Sequence, residues 1–216
     1  MKNKISRTII FAAALAFQLC IFIFYLAIPA LIKADAQKNN RIYAFECEPL
    51  DPYNFMKGRY LSLSITQSRI TVGELDSQTF IDFDRDPQSY SVQLPEKKDL
   101  YLLLSQSQSG VWKVTGIRSK KPQSGDFIRA KLRYKIHIKA SSPDTRLLFD
   151  FPFDEYYMQE NFAKYVDSMP DFFDRSPRLQ IYASSTGRVI QKGLYVLDDN
   201  NTYIAIEDFV KQKIRH

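Results

Sequence analysis

From Thr8 to Ile32 the chain carries no Asp, Glu, Lys or Arg, and no other feature restricts its fold so strongly. At ~1.5 Å per helical residue, about 25 such residues reach roughly 37 Å, more than a hydrocarbon core of about 30 Å. The run therefore predicts a transmembrane anchor over 8–32, behind a short basic tail, 1–7, and ahead of a polar connector, 33–40. A cleaved leader is the competing reading, because Ala34-Asp35-Ala36 has the small-x-small pattern of a cleavage site. The apolar segment of a leader is usually only about 7–15 residues long, which favours the anchor. Cys20 does not mark a lipid attachment site, since Gln18 and Leu19 stand where small residues would be needed. Within the span, Gln18 with Ala12 and Ala16 offers a helix–helix contact; a polar residue tolerated in lipid is the plainer account.

The flanking cations barely decide orientation: Lys2, Lys4 and Arg7 on one side face Lys33, Lys38 and Arg41 on the other. The expected arrangement has the tail inside. The domain would then lie outside the cytoplasm, periplasmic on the inner (cytoplasmic) membrane, because the remainder reads as an exported β-rich domain. The same segment explains most of the net charge of +6. Residues 1–33 hold four of the 30 basic residues and no acid, leaving 26 basic against 24 acidic over the rest, so a nucleic-acid partner has little support.

Beyond residue 40, alternating apolar and polar stretches are separated by turn chemistry such as Asp86-Pro87, Ser109-Gly110, Gly125-Asp126 and Thr186-Gly187. They predict strands near 42–48, 60–68, 80–84, 90–92, 100–105, 111–117, 127–140, 179–183, 189–197 and 203–207. One short helix is expected near 155–167. The fold class is thus mainly β, a sandwich- or barrel-like exported domain over 41–216 behind the N-terminal helix. A weak echo between Ser109–Ile117 and Thr186–Leu194 raises the alternative of two related units, 41–122 and 123–216; chance recurrence of hairpin glycines is the plainer explanation.

The two cysteines, Cys20 and Cys47, fall on either side of the anchor boundary, so no disulfide within the domain is available. Cys47 reads as a small apolar strand residue, with an intermolecular disulfide as the alternative. His137 and His216 are the only histidines, too few and too far apart for a metal site or a Ser/His or Cys/His dyad, and no glycine-rich phosphate loop occurs. No enzymatic activity, metal or cofactor is expected. A hydrolase using carboxylates such as Asp150, Asp154 and Glu160 ranks last.

Glu48 to Ile65, EPLDPYNFMKGRYLSLSI, resembles the segment that names the GDYXXLXY family of single-pass membrane-anchored proteins. Pro49, Leu50, Asp51, Pro52, Gly58, Tyr60 and Leu63 match it, while Arg59 replaces the signature acid and Ile65 the final tyrosine. LFDFPFDEYYMQENFA, with Tyr156, Tyr157 and Glu160, and VIQKGLYVLD, with Gly193 and Leu194, are similar to further family segments. The resemblance implies an anchor with an exported domain. It also implies a multi-span membrane partner, because the genes of such proteins often neighbour one another in this family. Physically, Asp51-Pro52 makes a rigid corner and Gly58 admits a close backbone approach before Tyr60 enters a strand, so Pro49, Asp51, Pro52, Gly58, Tyr60 and Leu63 read as a structural motif rather than a ligand site.

Two candidate surfaces remain. Asp154, Tyr156, Tyr157 and Glu160 lie in an aromatic–acidic cluster that could line a groove for a peptide, glycan or partner loop; a patch covering the end of a sheet is the plainer reading. Ile128 to Ala140 places Arg129, Lys131, Arg133, Lys135, His137 and Lys139 on one parity, a basic strand face. Thirteen residues at roughly 3.3 Å would make a strand of about 43 Å, so a bend is expected within it. A ladder to Asp82, Asp84 and Asp86 would neutralise this face; otherwise Arg129, Lys131, Arg133, Lys135 and Lys139 offer a surface to anionic lipid or an acidic partner. The function read from these features is a membrane-anchored interaction module accessory to a multi-span membrane protein or envelope component. The alternative is a lipid- or small-ligand-binding β domain held at the membrane surface.

Overall fold

The computed structural model describes residues 7–49, 56–57, 60–76, 79–80, 82–83, 85–86, 91–94, 96, 98–134, 136–139, 143–151, 153, 155–157, 159–167, 169 and 171–214. Helix α1 spans Arg7–Lys38 and is long and apolar enough to cross a membrane. Its side chains from Ile10 to Leu26 are exposed. Pro29 lies within it without ending it. The connector is therefore helical as far as Lys38. Termination falls at Asn40, whose φ of 52° is left-handed: Arg41 N–H donates to Ala36 O at 2.8 Å and Asn40 N–H to Gln37 O at 3.4 Å, a Schellman closure that satisfies the last carbonyls. Strand β1, Ile42–Pro49, begins two residues after this closure.

The remaining elements follow in chain order: β2 Met56–Lys57, β3 Tyr60–Ile65, β4 Arg69–Thr71, β5 Arg85–Asp86, β6 Ser91–Leu94, β7 Asp99–Gln106, β8 Trp112–Arg118, β9 Asp126–Leu132, β10 Ile136–Lys139, β11 Arg146–Asp150, β12 Glu155–Tyr157, α2 Glu160–Asp167, β13 Arg178–Ala183, β14 Val189–Leu197, β15 Tyr203–Ala205 and α3 Ile206–Ile214. Among the described residues all pairings are antiparallel. One sheet runs β12-β3-β1-β13-β14-β15 with β2 beside β3, a second runs β4-β11-β9-β7-β8, and a small third runs β10-β6-β5. Both large sheets draw strands from either side of residue 122. The chain is mainly β, as the alternation predicts.

Period-two patterning explains the core. In β7, Leu100, Leu102 and Leu104 are buried; across the ladder in β9, so are Ala130 and Ile128, registered opposite Leu100 and Leu102. Tyr43 and Phe45 of β1, Leu179 and Ile181 of β13 and Leu194 of β14 join the same cluster from the other large sheet, so one core serves both. Cys47 belongs to it, as its plainer reading expected, and burial pushes its thiol up to about 12.

Several elements depart from the sequence reading for local reasons. The basic run breaks at Arg133–Tyr134: β9 pairs with β7 and β11, whereas β10 joins β6 in the small sheet, so the expected bend divides the face. Asp82 lies in a turn. Its Oδ2 accepts from Ser119 N–H at 2.9 Å and Lys120 N–H at 3.0 Å, while Asp86 pairs with Ser91; neither stands opposite β9. The acidic ladder anticipated from Asp82 and Asp86 is thus corrected, and Asp84 lies outside the described residues. Tyr203–Glu207 is a strand only to Ala205, because Glu207 and Asp208 suit the first turn of α3, whose Ile206, Phe209 and Val210 are buried.

Candidate functional site

The end of α1 meets the sheet along a matched row. Ile28, Ile32 and Ala36 recur at i, i+4 and i+8 on one helix face, and they pack on Ile42, Tyr182 and Ile190, which are cross-strand neighbours on β1, β13 and β14. Ala36 is fully buried, and its small side chain permits the close approach. At the edge of this contact Asp35 Oδ2 accepts from Ser185 N–H at 2.7 Å, tying the helix to the β13–β14 turn.

That turn also ties the sheets together. Arg129 N–H donates to Gly187 O at 2.8 Å. Gly187 has φ +80°, and a Cβ there would stand 2.9 Å from Arg129 Cγ and 3.2 Å from the Phe127 ring, so glycine is required for both the backbone and the space. Arg41 also packs at this corner, its guanidinium 4.9 Å from the Phe127 ring centroid.

Between these contacts opens a cavity of about 510 Å³, within the range of ligand sites. Ile28 and Ile32 of α1, Val189 and Ile190 of β14, Ala130 of β9 and Phe151 form its apolar lining; Arg129, Lys131, Arg188, Asp99 and Asp150 supply the charge. Arg129 bridges Asp99 at 3.2 Å, and Arg133, beside the cavity, bridges Asp150 at 2.7 Å. Lys131 sits in register between Asp99 and Asp150. Arg129, Lys131, Arg133 and Arg188 thus face two carboxylates, and among the described residues no ion pair engages Lys131 or Arg188. The buried Nε of Arg129 has no acceptor.

The structure thus brings Arg129 and Lys131 together at this cavity with Arg133 at its margin. Lys139 lies on β10 opposite Ser91, in another sheet, and Lys135 lies outside the described residues. Of the aromatic–acidic cluster, Tyr156 is buried and its hydroxyl donates to Glu207 Oε1 at 2.5 Å; burial and then this carboxylate raise its pKa. Phe151 and Phe153 pack against Phe45 in the core, so where it is described the cluster is packed rather than open. Tyr157 lies on β12 opposite Tyr60, Glu160 opens α2, and Asp154 is outside the described residues. Of the structural motif, Pro49 on β1 stands opposite Leu63 on β3, and Tyr60 opens β3; Asp51, Pro52 and Gly58 lie outside the described residues. Sequence reasoning missed Ile28, Ile32, Asp99, Arg188 and the role of Gly187; only the glycine carried a signal, as a turn residue.

Fold and junction together define a class: a mainly antiparallel β domain carried directly on one helix of membrane-spanning length. The chain belongs to the GDYXXLXY protein family, whose sequence model matches residues 22–193. No curated protein and no solved structure matches it.

Proposed function

We propose that this chain is a single-pass, membrane-anchored interaction module of the inner membrane. Its β domain stands outside the cytoplasm, and it is accessory to a multi-span membrane protein or envelope component. The observation that carries this reading is the junction: α1 passes through a Schellman closure into β1 with no slack and packs on Tyr182 through Ile32 and Ala36. Such a joint fixes the height and tilt of the domain above the bilayer, which suits a subunit that must meet a membrane partner in one geometry. Crosslinking the intact protein in its native membrane, followed by mass spectrometry, tests it. Capture of one multi-span protein is the expected result, and capture of nothing specific would sink the accessory role. The alternative, a lipid- or small-ligand-binding domain at the membrane surface, draws support from the cavity at the same junction.

A further inference from the structure

The junction cavity combines three properties seldom found together. It is floored by the helix that reads as the anchor, lined by apolar side chains of β9 and β14 and by Phe151, and rimmed by an excess of cations. Its depth follows from the span. About 20 helical residues cover a hydrocarbon core, so a span opening at Thr8 ends near Ala27. Packing on the β domain begins at the same place: side chains are exposed through Leu26, Ala27 and Ile28 are half-buried and Ile32 is buried, with Pro29, Ala30 and Leu31 between them exposed. A span placed there puts Ile28 and Ile32 where acyl chains give way to headgroups, and Lys131 and Arg188 line the same cavity.

We propose that this cavity holds one anionic phospholipid, its phosphate between Lys131 and Arg188 and the upper part of its chains along Ile28, Ile32 and Ile190. The volume accommodates a headgroup and the first part of the chains, with the rest left in the bilayer beside α1. Charge selects the lipid. Asp99 and Asp150 are engaged by Arg129 and Arg133, which leaves Lys131 and Arg188 for an anion and disfavours a cationic headgroup. A soluble anion would use the cations but not the floor, and a neutral lipid the floor but not the cations. Binding here would brace the domain against the helix, because the lipid touches α1, β9 and β14 at once.

The inference rests on α1 as a membrane anchor, and its test reads the two separately. The full chain is reconstituted in nanodiscs of phosphatidylcholine containing phosphatidylglycerol, released, and examined by native mass spectrometry for retained lipid. One retained phosphatidylglycerol per chain is expected, with the Lys131→Gln/Arg188→Gln variant retaining it about tenfold less or weaker still. The exposed pair Lys113→Gln/Lys120→Gln should retain it as the parent does. Should the first variant fail to fold by circular dichroism, Ile190→Trp fills the cavity from its apolar side and should abolish retention. Incorporation with no retained lipid, equal retention of phosphatidylcholine, unchanged retention in the variants, or displacement by inorganic phosphate alone would each overturn the lipid site. Failure to enter the nanodisc would overturn the anchor instead.

Discussion

Gly187 and Gly110 share a φ of +80° but not their surroundings, and the contrast isolates the contact that holds the β13–β14 turn on Arg129. An alanine at either position adopts a left-handed conformation at about 1–2 kcal/mol. At Gly110 nothing lies within 4 Å of the new methyl, so that is the whole effect. At Gly187 the methyl would stand 2.9 Å from Arg129 Cγ and 3.2 Å from Phe127, and the phenyl ring is only 1 % exposed, so it cannot retreat. Overpacking of this kind adds about 1–3 kcal/mol. Gly187→Ala should therefore destabilise by about 2–5 kcal/mol and exceed Gly110→Ala by at least 1. Urea unfolding of the full chain in detergent is readable through Trp112, the only tryptophan, whose ring lies 4.7 Å from that of Tyr43. Equal effects of the two substitutions, within about 0.5 kcal/mol, would refute the claim that the turn is seated on β9.

Other perturbations read other joints. Ala36→Leu inserts bulk into the fully buried contact of α1 with Tyr182 and should loosen the junction by about 1–3 kcal/mol, seen as faster hydrogen exchange in residues 182–190. Asp82→Ala removes the acceptor of the Ser119 and Lys120 N–H groups, at about 2 kcal/mol by urea unfolding. Burial alone would raise Asp82, but those N–H groups hold its carboxyl below the usual range. The part that depends on its charge is therefore complete above the unfolded carboxylate pKa and lost as pH falls through the folded value, so the gap between variant and parent should narrow in acid. Tyr156→Phe breaks the bond to Glu207 and should cost about 1–3 kcal/mol in the same assay. In a Cys20→Ser chain, Cys47 should resist iodoacetamide at pH 8, because it is buried and its pKa is pushed up to about 12.

Where the sequence was legible, a single period decided the matter. The uncharged run at Thr8–Ile32 reads directly as α1, alternation reads as β7 to within a residue of each end, and β14 fills the expected 189–197, whereas the strand expected over 127–140 stops as β9 at Leu132. The FPF segment illustrates the opposite case. Phe151 and Phe153 are core residues against Phe45, a contact made over 100 residues of chain that no local pattern encodes. β11 and β4 were missed because they are short and draw their partners from distant strands. The candidate site was half visible. Arg129 and Lys131 declared themselves by parity, but Asp99 and Asp150 came to flank Lys131 only through sheet order. The basic run breaks at Arg133 because β9 and β10 belong to different sheets. The end of α1 was legible in retrospect at Asn39-Asn40, where a left-handed asparagine closes the helix.

The β domain is joined to the apolar helix as one body, through Ile32 and Ala36 on Tyr182 and the closure at Asn40. Spin labels at Leu31→Cys on α1 and Lys113→Cys on β8, in a Cys20→Ser background with Cys47 buried, measure this directly by double electron–electron resonance in nanodiscs. A narrow, single-peaked distance distribution is predicted, broadened by Ala36→Leu. A broad distribution in the parent, unchanged by that substitution, would contradict the account.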